Sequence, residues 1–233
     1  MIRQIPLPLT FNPEYDFEEF HPGANAEAVA HLAQAATTAT EPLIYLWSEA
    51  GQGKTHLMHA CCRQAHHCGL SVSYLPLLNV KEHGPNILEG LETQALVCLD
   101  DIDNVAGQPE WETALFSLFN QLRDRRHSLF VTASMPPAAL SIRLPDLKTR
   151  LGWGLTLMLR PLSDEDKLQA LSLQARALGL DLPSPVGRFL LAHYRRDLPS
   201  LRKLLLQLDH ATLAAKRKLT IPFLKAYLEE TRT

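Results

Sequence analysis

The sequence predicts an α/β domain built on a five-stranded parallel sheet with helices on both faces, followed by a small all-α domain. Three observations carry this. Five apolar runs, at 43–47, 71–75, 96–99, 128–132 and 155–159, have the length of strands. The segments between them, 54–68 and 110–126 included, show helical patterning, and that alternation is what a parallel sheet requires. From residue 163 onward no strand pattern is left. The expected division is an extended tail at 1–14, an α/β domain at 15–162 and a helical domain at 163–233.

Composition narrows the function classes. Of 233 residues, 46% are hydrophobic and 21% charged, enough for a substantial core and too balanced for wholesale disorder. A formal net charge of -2 argues against a general nucleic-acid binder with a broad basic face. No apolar run spans a bilayer and no basic start precedes an apolar stretch, so a cytoplasmic protein without a membrane partner is expected. Cys61, Cys62, Cys68 and Cys98 form no secreted disulfide framework. Together with His66 and His67 they fit no tetrahedral metal spacing, so they read as buried small residues and surface histidines.

Taken in order, the tail Gln4-Ile5-Pro6-Leu7-Pro8-Leu9 favours extended backbone, with Leu7 and Leu9 able to enter an apolar groove. The run Leu43–Trp47 then leads into Ser48-Glu49-Ala50-Gly51-Gln52-Gly53-Lys54-Thr55 and a helix. Strand, glycine-rich turn and helix are the setting in which backbone N–H groups cradle phosphate. Lys54 adds a charge at the β- and γ-phosphates, and the Thr55 hydroxyl can ligate Mg²⁺. Ser48 stands where this motif usually has its first glycine. The run Ala95–Leu99 ends in Asp100, placed to hold Mg²⁺, and Asp101, placed to orient water. With both motifs present, the chain reads as a binder of nucleoside phosphates.

The helix after this strand carries a wide apolar surface, on which Phe116 and Asn120 share a face and could meet a partner. Thr132 or Ser134, at the end of the fourth run, could sense the γ-phosphate if that strand lies between the two motif strands. A short helix from Pro145 to Gly152 leaves Arg150 near its C-terminal end, where it opposes the helix dipole or reaches a neighbouring subunit's phosphate. Ser163 is the expected N-cap of the first helix of the second domain, with Asp166 in the capping-box position. Further helix starts are expected at Ser184-Pro185 and Thr220-Ile221-Pro222. Arg195, Arg196, Arg202 and Lys203 lie where that domain could face a nucleotide.

Together these residues resemble the AAA+ ATPases and, within them, the DnaA/Hda family of bacterial replication proteins, over about Phe17 to Tyr227. The clearest parts are Gly51-Gln52-Gly53-Lys54-Thr55-His56-Leu57, Leu99-Asp100-Asp101-Ile102, Arg150-Leu151-Gly152-Trp153-Gly154-Leu155 and Leu219-Thr220-Ile221-Pro222-Phe223. The resemblance implies a P-loop AAA+ module with a helical lid. It adds His56 and Arg202 to the nucleotide site beside Ser134, with Phe20, Pro22 and Asn25 bordering the base. It makes Gln4, Leu7 and Leu9 a peptide that docks on the DNA polymerase III β sliding clamp, so that DNA is met through the loaded clamp. It also makes Arg150 an arginine finger acting in trans on ATP bound to DnaA. ADP, or another nucleoside diphosphate, would be the working cofactor, with Mg²⁺; ATP is possible, and self-association is expected.

The family's lid arginine that senses phosphate falls on Pro199, leaving Arg202 or Arg196 as substitutes. With Ser48 and Asp101, that points to a nucleotide holder with weak or no ATPase activity of its own. Neither a DNA-reading helix-turn-helix after the lid-like segment nor an oligomerisation domain before the ATPase-like one is expected. The competing reading is an autonomous ATPase, such as a helicase loader, using Lys54, Asp100 and Asp101 on its own ATP.

Overall fold

The computed structural model describes residues 15–38, 41–194 and 197–230. Gln4, Leu7, Leu9, Arg195 and Arg196 lie outside the described residues. The chain divides into two compact units: residues 25–160 together with 15–17, and residues 161–230 together with 18–24.

The first unit is a parallel sheet with helices. Its strands are β1 (Leu43–Trp47), β2 (Val72–Pro76), β3 (Leu96–Asp100), β4 (Ser128–Ala133) and β5 (Leu155–Met158), in the order β2-β3-β4-β1-β5. All four pairings are parallel, so each crossover needs a connecting segment long enough to return the chain. Strand ends agree with the sequence expectation to within one residue, and those of β1 match it. The central strands β3 and β4 are buried at every position, which explains why they read as unbroken apolar runs. The order puts β4 between the two motif strands, β1 and β3. Tyr45, fully buried in β1, donates its hydroxyl to the Met135 carbonyl at 2.8 Å and titrates well above its ordinary value through burial.

The sheet is flanked by α1 (Ala26–Thr38), α2 (Lys54–His67), α3 (Leu77–Val80), α4 (Pro109–Asp124) and α5 (Pro145–Leu151). In α2 Leu57, Met58, Cys61, Cys62 and Ala65 are buried, whereas His66, His67 and Cys68 are exposed. In α4 Trp111, Leu115, Leu118, Phe119 and Leu122 form a stripe at helical spacing and join one core with Leu99, Leu129, Val131, Leu147 and Leu151. Gly154 is sterically required. A Cβ there would collide with the carbonyl and side chain of Leu43, so β5 could not approach β1 as it does.

The second unit is all helical: α6 (Asp164–Ala177), α7 (Ser184–His193), α8 (Leu198–Ala215) and α9 (Ile221–Glu230). Its own core gathers Leu171, Val186, Leu190, Leu201, Leu205, Leu208, Leu219 and Leu224. Ser163 caps α6 by accepting from the Asp166 N–H at 3.1 Å, while its hydroxyl donates to the Asp166 carboxylate at 2.7 Å. His21, 2.9 Å from the other carboxylate oxygen, ties residues 18–24 to this helix. That bond, followed by the one from Ser163, holds the Asp166 carboxyl below its usual range. Asp197 caps α8 by accepting from the Ser200 N–H at 2.9 Å, and Pro199 occupies the first turn, where its missing N–H costs nothing.

Candidate nucleotide site and the family it belongs to

The loop between β1 and α2 has the geometry the sequence asks for. Gly51 and Gly53 lie at φ 80° and 95°, a region that side-chain-bearing residues rarely enter. Helix α2 begins at Lys54 with no side-chain cap, which leaves first-turn N–H groups for an anion. Ser48 is buried, takes an Ala133 carbonyl onto its N–H at 3.2 Å and gives its hydroxyl to the Glu49 carbonyl at 2.9 Å. The hydroxyl therefore serves the loop's own backbone. Lys54 is buried, and its ammonium donates to the carbonyls of Ser48 at 3.0 Å and Glu49 at 3.3 Å. These neutral acceptors hold the cation beside the loop without neutralising it.

Asp100, at the end of β3, collects hydroxyl groups. Its Oδ2 accepts from Thr55 at 2.7 Å and from Tyr74 at 2.9 Å, and its Oδ1 accepts from Thr132. Thr55 and Asp100 thus present hard oxygen donors side by side, the set that Mg²⁺ takes. Tyr74 titrates well above its ordinary value, first from burial and then from Asp100. The His59 ring lies tilted against Tyr74 with centroids 4.1 Å apart, and burial lowers its pKa against the opposing pull of Asp100.

Thr132 also accepts the Asp101 N–H at 2.8 Å, so one hydroxyl ties β4 to both carboxylate positions. Asp101 sits at φ 58°, a left-handed conformation that Asp tolerates at a cost of about 1 kcal/mol. Burial, then the neighbouring Asp100, raises its pKa above 3.8, with Lys54 pulling the other way. Ser134 gives both its N–H, at 3.2 Å, and its hydroxyl, at 3.0 Å, to Asp103. Thr132 in β4 and Ser134 just beyond its end therefore face different acids.

His56 is 2.7 Å from the Asp16 carbonyl through Nε2, and Tyr15 lies over its ring at 4.8 Å. Asn25 is buried and bonds the Arg160 backbone twice, donating to its carbonyl at 3.0 Å and accepting its N–H at 2.7 Å. Phe20, Pro22 and Arg202 belong to the second unit, Arg202 in α8 one turn beyond Pro199. Phe116 is partly buried against the α4 core, and Asn120 has a buried Oδ1 with no hydrogen-bond partner among the described residues.

At the far end of α5, the Arg150 guanidinium lies 4.0 Å from the Trp153 ring centroid and 5.9 Å from that of Phe119. Trp153 is 64% exposed. Among the described residues no carboxylate forms an ion pair with Arg150.

A phosphate loop, a hydroxyl-ringed aspartate at the end of β3 and a strand inserted between them are arranged as a nucleotide-binding core requires. Residues 11–158 match the family model of the bacterial DnaA ATPase domain. The chain belongs to this DnaA family. Residues 164–228 match the lid domain of Hda, so a DnaA-type module here carries an Hda-type lid. That pairing places the chain among proteins that regulate replication initiation.

Solved structures agree on the fold. Domain III of Thermotoga maritima DnaA is 21% identical, with 94% of this chain and 97% of that one covered at a TM-score of 0.80. AMPPCP-bound DnaA from Aquifex aeolicus is 22% identical, covers 84% of this chain and 65% of that one, and has a TM-score of 0.69. A variant of Thermotoga maritima RuvB is 14% identical over 92% and 73% of the two chains, with a TM-score of 0.64. The architecture is the P-loop AAA+ module with a helical lid. No helix among the described residues is long and apolar enough to cross a membrane.

Three side chains that structure this site and its flanking loops carry no sequence motif. Tyr74 sits one strand away from Asp100 and has no motif of its own. Asp103 follows Asp100-Asp101 closely and has no motif of its own. Glu112 left a usable signal: it precedes Leu115, Phe119 and Leu122 on the buried stripe of α4, where a carboxylate is out of place.

Proposed function

We propose that this DnaA-family protein is a nucleoside-diphosphate-bound regulator that limits replication initiation by promoting hydrolysis of ATP bound to DnaA. Its N-terminal Gln4, Leu7 and Leu9 would dock on the β sliding clamp, meeting DNA through the loaded clamp. Arg150 would then be supplied in trans to the nucleotide of DnaA. The observation that carries this reading is Arg150 itself: a guanidinium stacked on an exposed Trp153, with no ion pair to a carboxylate among the described residues. A guanidinium delivered to a transferring phosphoryl group is worth on the order of 10³–10⁵ in rate.

The protein's own site would hold ADP. Gly51, Gln52 and Gly53 would cradle the phosphates and Lys54 would turn from the Ser48 and Glu49 carbonyls towards them. Mg²⁺, when bound, would neutralise phosphate charge, with Thr55 and Asp100 as its ligands. His56, Ser134 and Arg202 would complete the site, with Phe20, Pro22 and Asn25 near the base. Asp101 reaches less far towards an attacking water than a glutamate would, which suits slow turnover better than fast. Phe116 and Asn120 would contribute to the partner surface, and self-association through the Arg150 face would mask the finger.

The test is phosphate release from ATP-bound DnaA with DNA-loaded clamp, comparing the ADP-loaded protein with Arg150→Ala and with a Gln4/Leu7/Leu9 triple alanine. Stimulation by the unaltered protein alone is the expected result. Turnover by this protein without partners, and none of the stimulation, would instead establish an autonomous ATPase.

A further inference from the structure

A buried carboxylate outside the nucleotide site has a role that neither family model assigns. Glu112, in the first turn of α4, is 1% exposed. Its Oε1 accepts from the N–H of Gly107 at 2.7 Å and of Arg143 at 3.0 Å. Its Oε2 accepts from Arg143 at 3.0 Å and from Leu144 at 2.7 Å. Among the described residues no cation is paired with it, so backbone amides of two loops carry its negative charge. A carboxylate is buried this way only when its donors are fixed in place, and it fixes them in return.

Those donors belong to segments with functional ends. Gly107 closes the turn that begins at Asp101, a run held by Asn104 on the Asp101 carbonyl and Val105 on that of Ile102. Leu144 is the residue that caps α5, whose last turn carries Arg150. The opposite end of the intervening segment, Ser134, is held by Asp103 from the same turn. Residues 134–144 are thus clasped at both ends by the stretch that follows Asp101. Helix α4 supplies the anchor at Glu112 and, about two turns on at roughly 10 Å, the Phe119 ring near the Arg150 guanidinium.

From this geometry we infer that Glu112 is a positioning residue for Arg150: it fixes the start of α5 against α4 and so sets where the guanidinium is presented. The inference rests on the trans-finger reading given above. A finger must meet the transferring phosphoryl group within a fraction of an ångström, and a displacement of about 1 Å can cost roughly 100-fold. Glu112→Gln keeps the shape but turns an amide NH₂ towards backbone N–H donors. The clasp loses at least one bond and gains a donor–donor clash.

The experiment is the same stimulated phosphate release, run across a range of activator concentrations with Glu112→Gln, Arg150→Ala and the unaltered protein. For Glu112→Gln the maximal rate should fall roughly tenfold. Its half-saturating concentration and its own affinity for fluorescent ADP should stay within about twofold, a split that general destabilisation does not produce. Amide hydrogen exchange at Arg143 and Leu144 should accelerate. If Glu112→Gln does not fold, Leu144→Pro removes one donor at a φ of -77° that proline accepts, with Leu144→Ala as the control that keeps the N–H. It should show the same fall in maximal rate. A full maximal rate from Glu112→Gln or Leu144→Pro, alongside an inactive Arg150→Ala, overturns the inference and leaves the finger standing. Full stimulation by Arg150→Ala overturns the finger reading and this inference with it.

Discussion

Asp100 and Arg150, the two charges on which the proposed function turns, occupy opposite surroundings. Asp100 is 3% exposed and accepts three hydroxyl groups, from Thr55, Tyr74 and Thr132, each delivered by a different element. Arg150 has two aromatic rings beside it, one of them on a Trp153 that is 64% exposed. The first arrangement fixes a carboxylate for a ligand held within the same unit. The second keeps a cation extended but unneutralised, so that its full charge is available to something outside. Stacking orients a guanidinium while leaving its N–H donors free, which an ion pair would not do.

The largest effect should come at the dense end. Lys54→Ala removes a buried cation from the phosphate loop and should weaken ADP binding on the order of 100-fold, read by titration with a fluorescent analogue. Unchanged affinity would mean the loop's N–H groups alone hold the phosphates.

Thr132→Val tests the fold around the same carboxylate. It strands the Asp101 N–H and removes a donor from Asp100, so stability should drop by about 1–3 kcal/mol in urea melts. A smaller loss would show that Thr55 and Tyr74 suffice to hold Asp100.

Asp101→Asn should act in the opposite direction. The folded carboxyl titrates above 3.8, so between its unfolded and folded values the native state binds the extra proton. Stability contributed by Asp101 therefore falls as pH rises through that window and stays low at neutral pH. The Asn variant, which also tolerates φ 58°, should be the more stable protein at pH 7, with the gain vanishing near pH 3.8 and below. Melts at pH 7 and at the acid end check the sign.

Least of all should change at the exposed end. Arg150→Ala should alter stability by less than about 0.5 kcal/mol, although it is expected to abolish stimulation of DnaA. A larger loss in urea melts would turn the stacked guanidinium from an offered group into a structural one.

The sequence was most informative where chemistry demands fixed residues at fixed spacing. Gly51, Gly53, Lys54 and Thr55 announced a phosphate loop because few other residues satisfy positive φ, a point charge and a hydroxyl in so short a span. Asp100 followed from an apolar strand ending in acid, and the capping of α6 from Ser163 and Asp166. Helices α1 and α8 drew no such attention, since alanines and leucines without a motif carry only a periodicity. Thr132 and Ser134 looked equivalent along the chain. Thr132 lies inside β4 and meets Asp100, whereas Ser134 lies just past the strand's end, where its hydroxyl goes to Asp103.

What the sequence determined by itself was the α/β order, the nucleotide loop and the DnaA-like pattern, because local spacing encodes each of them. The tertiary structure decided the rest: that Tyr74 reaches Asp100 from the neighbouring strand, that residues 18–24 join the helical unit through His21, and that Glu112 clasps the start of α5. Those contacts join residues 26, 145 and 32 positions apart. No local period can record such separations. They are fixed only when packing brings a buried polar group to the donors or acceptors it must have.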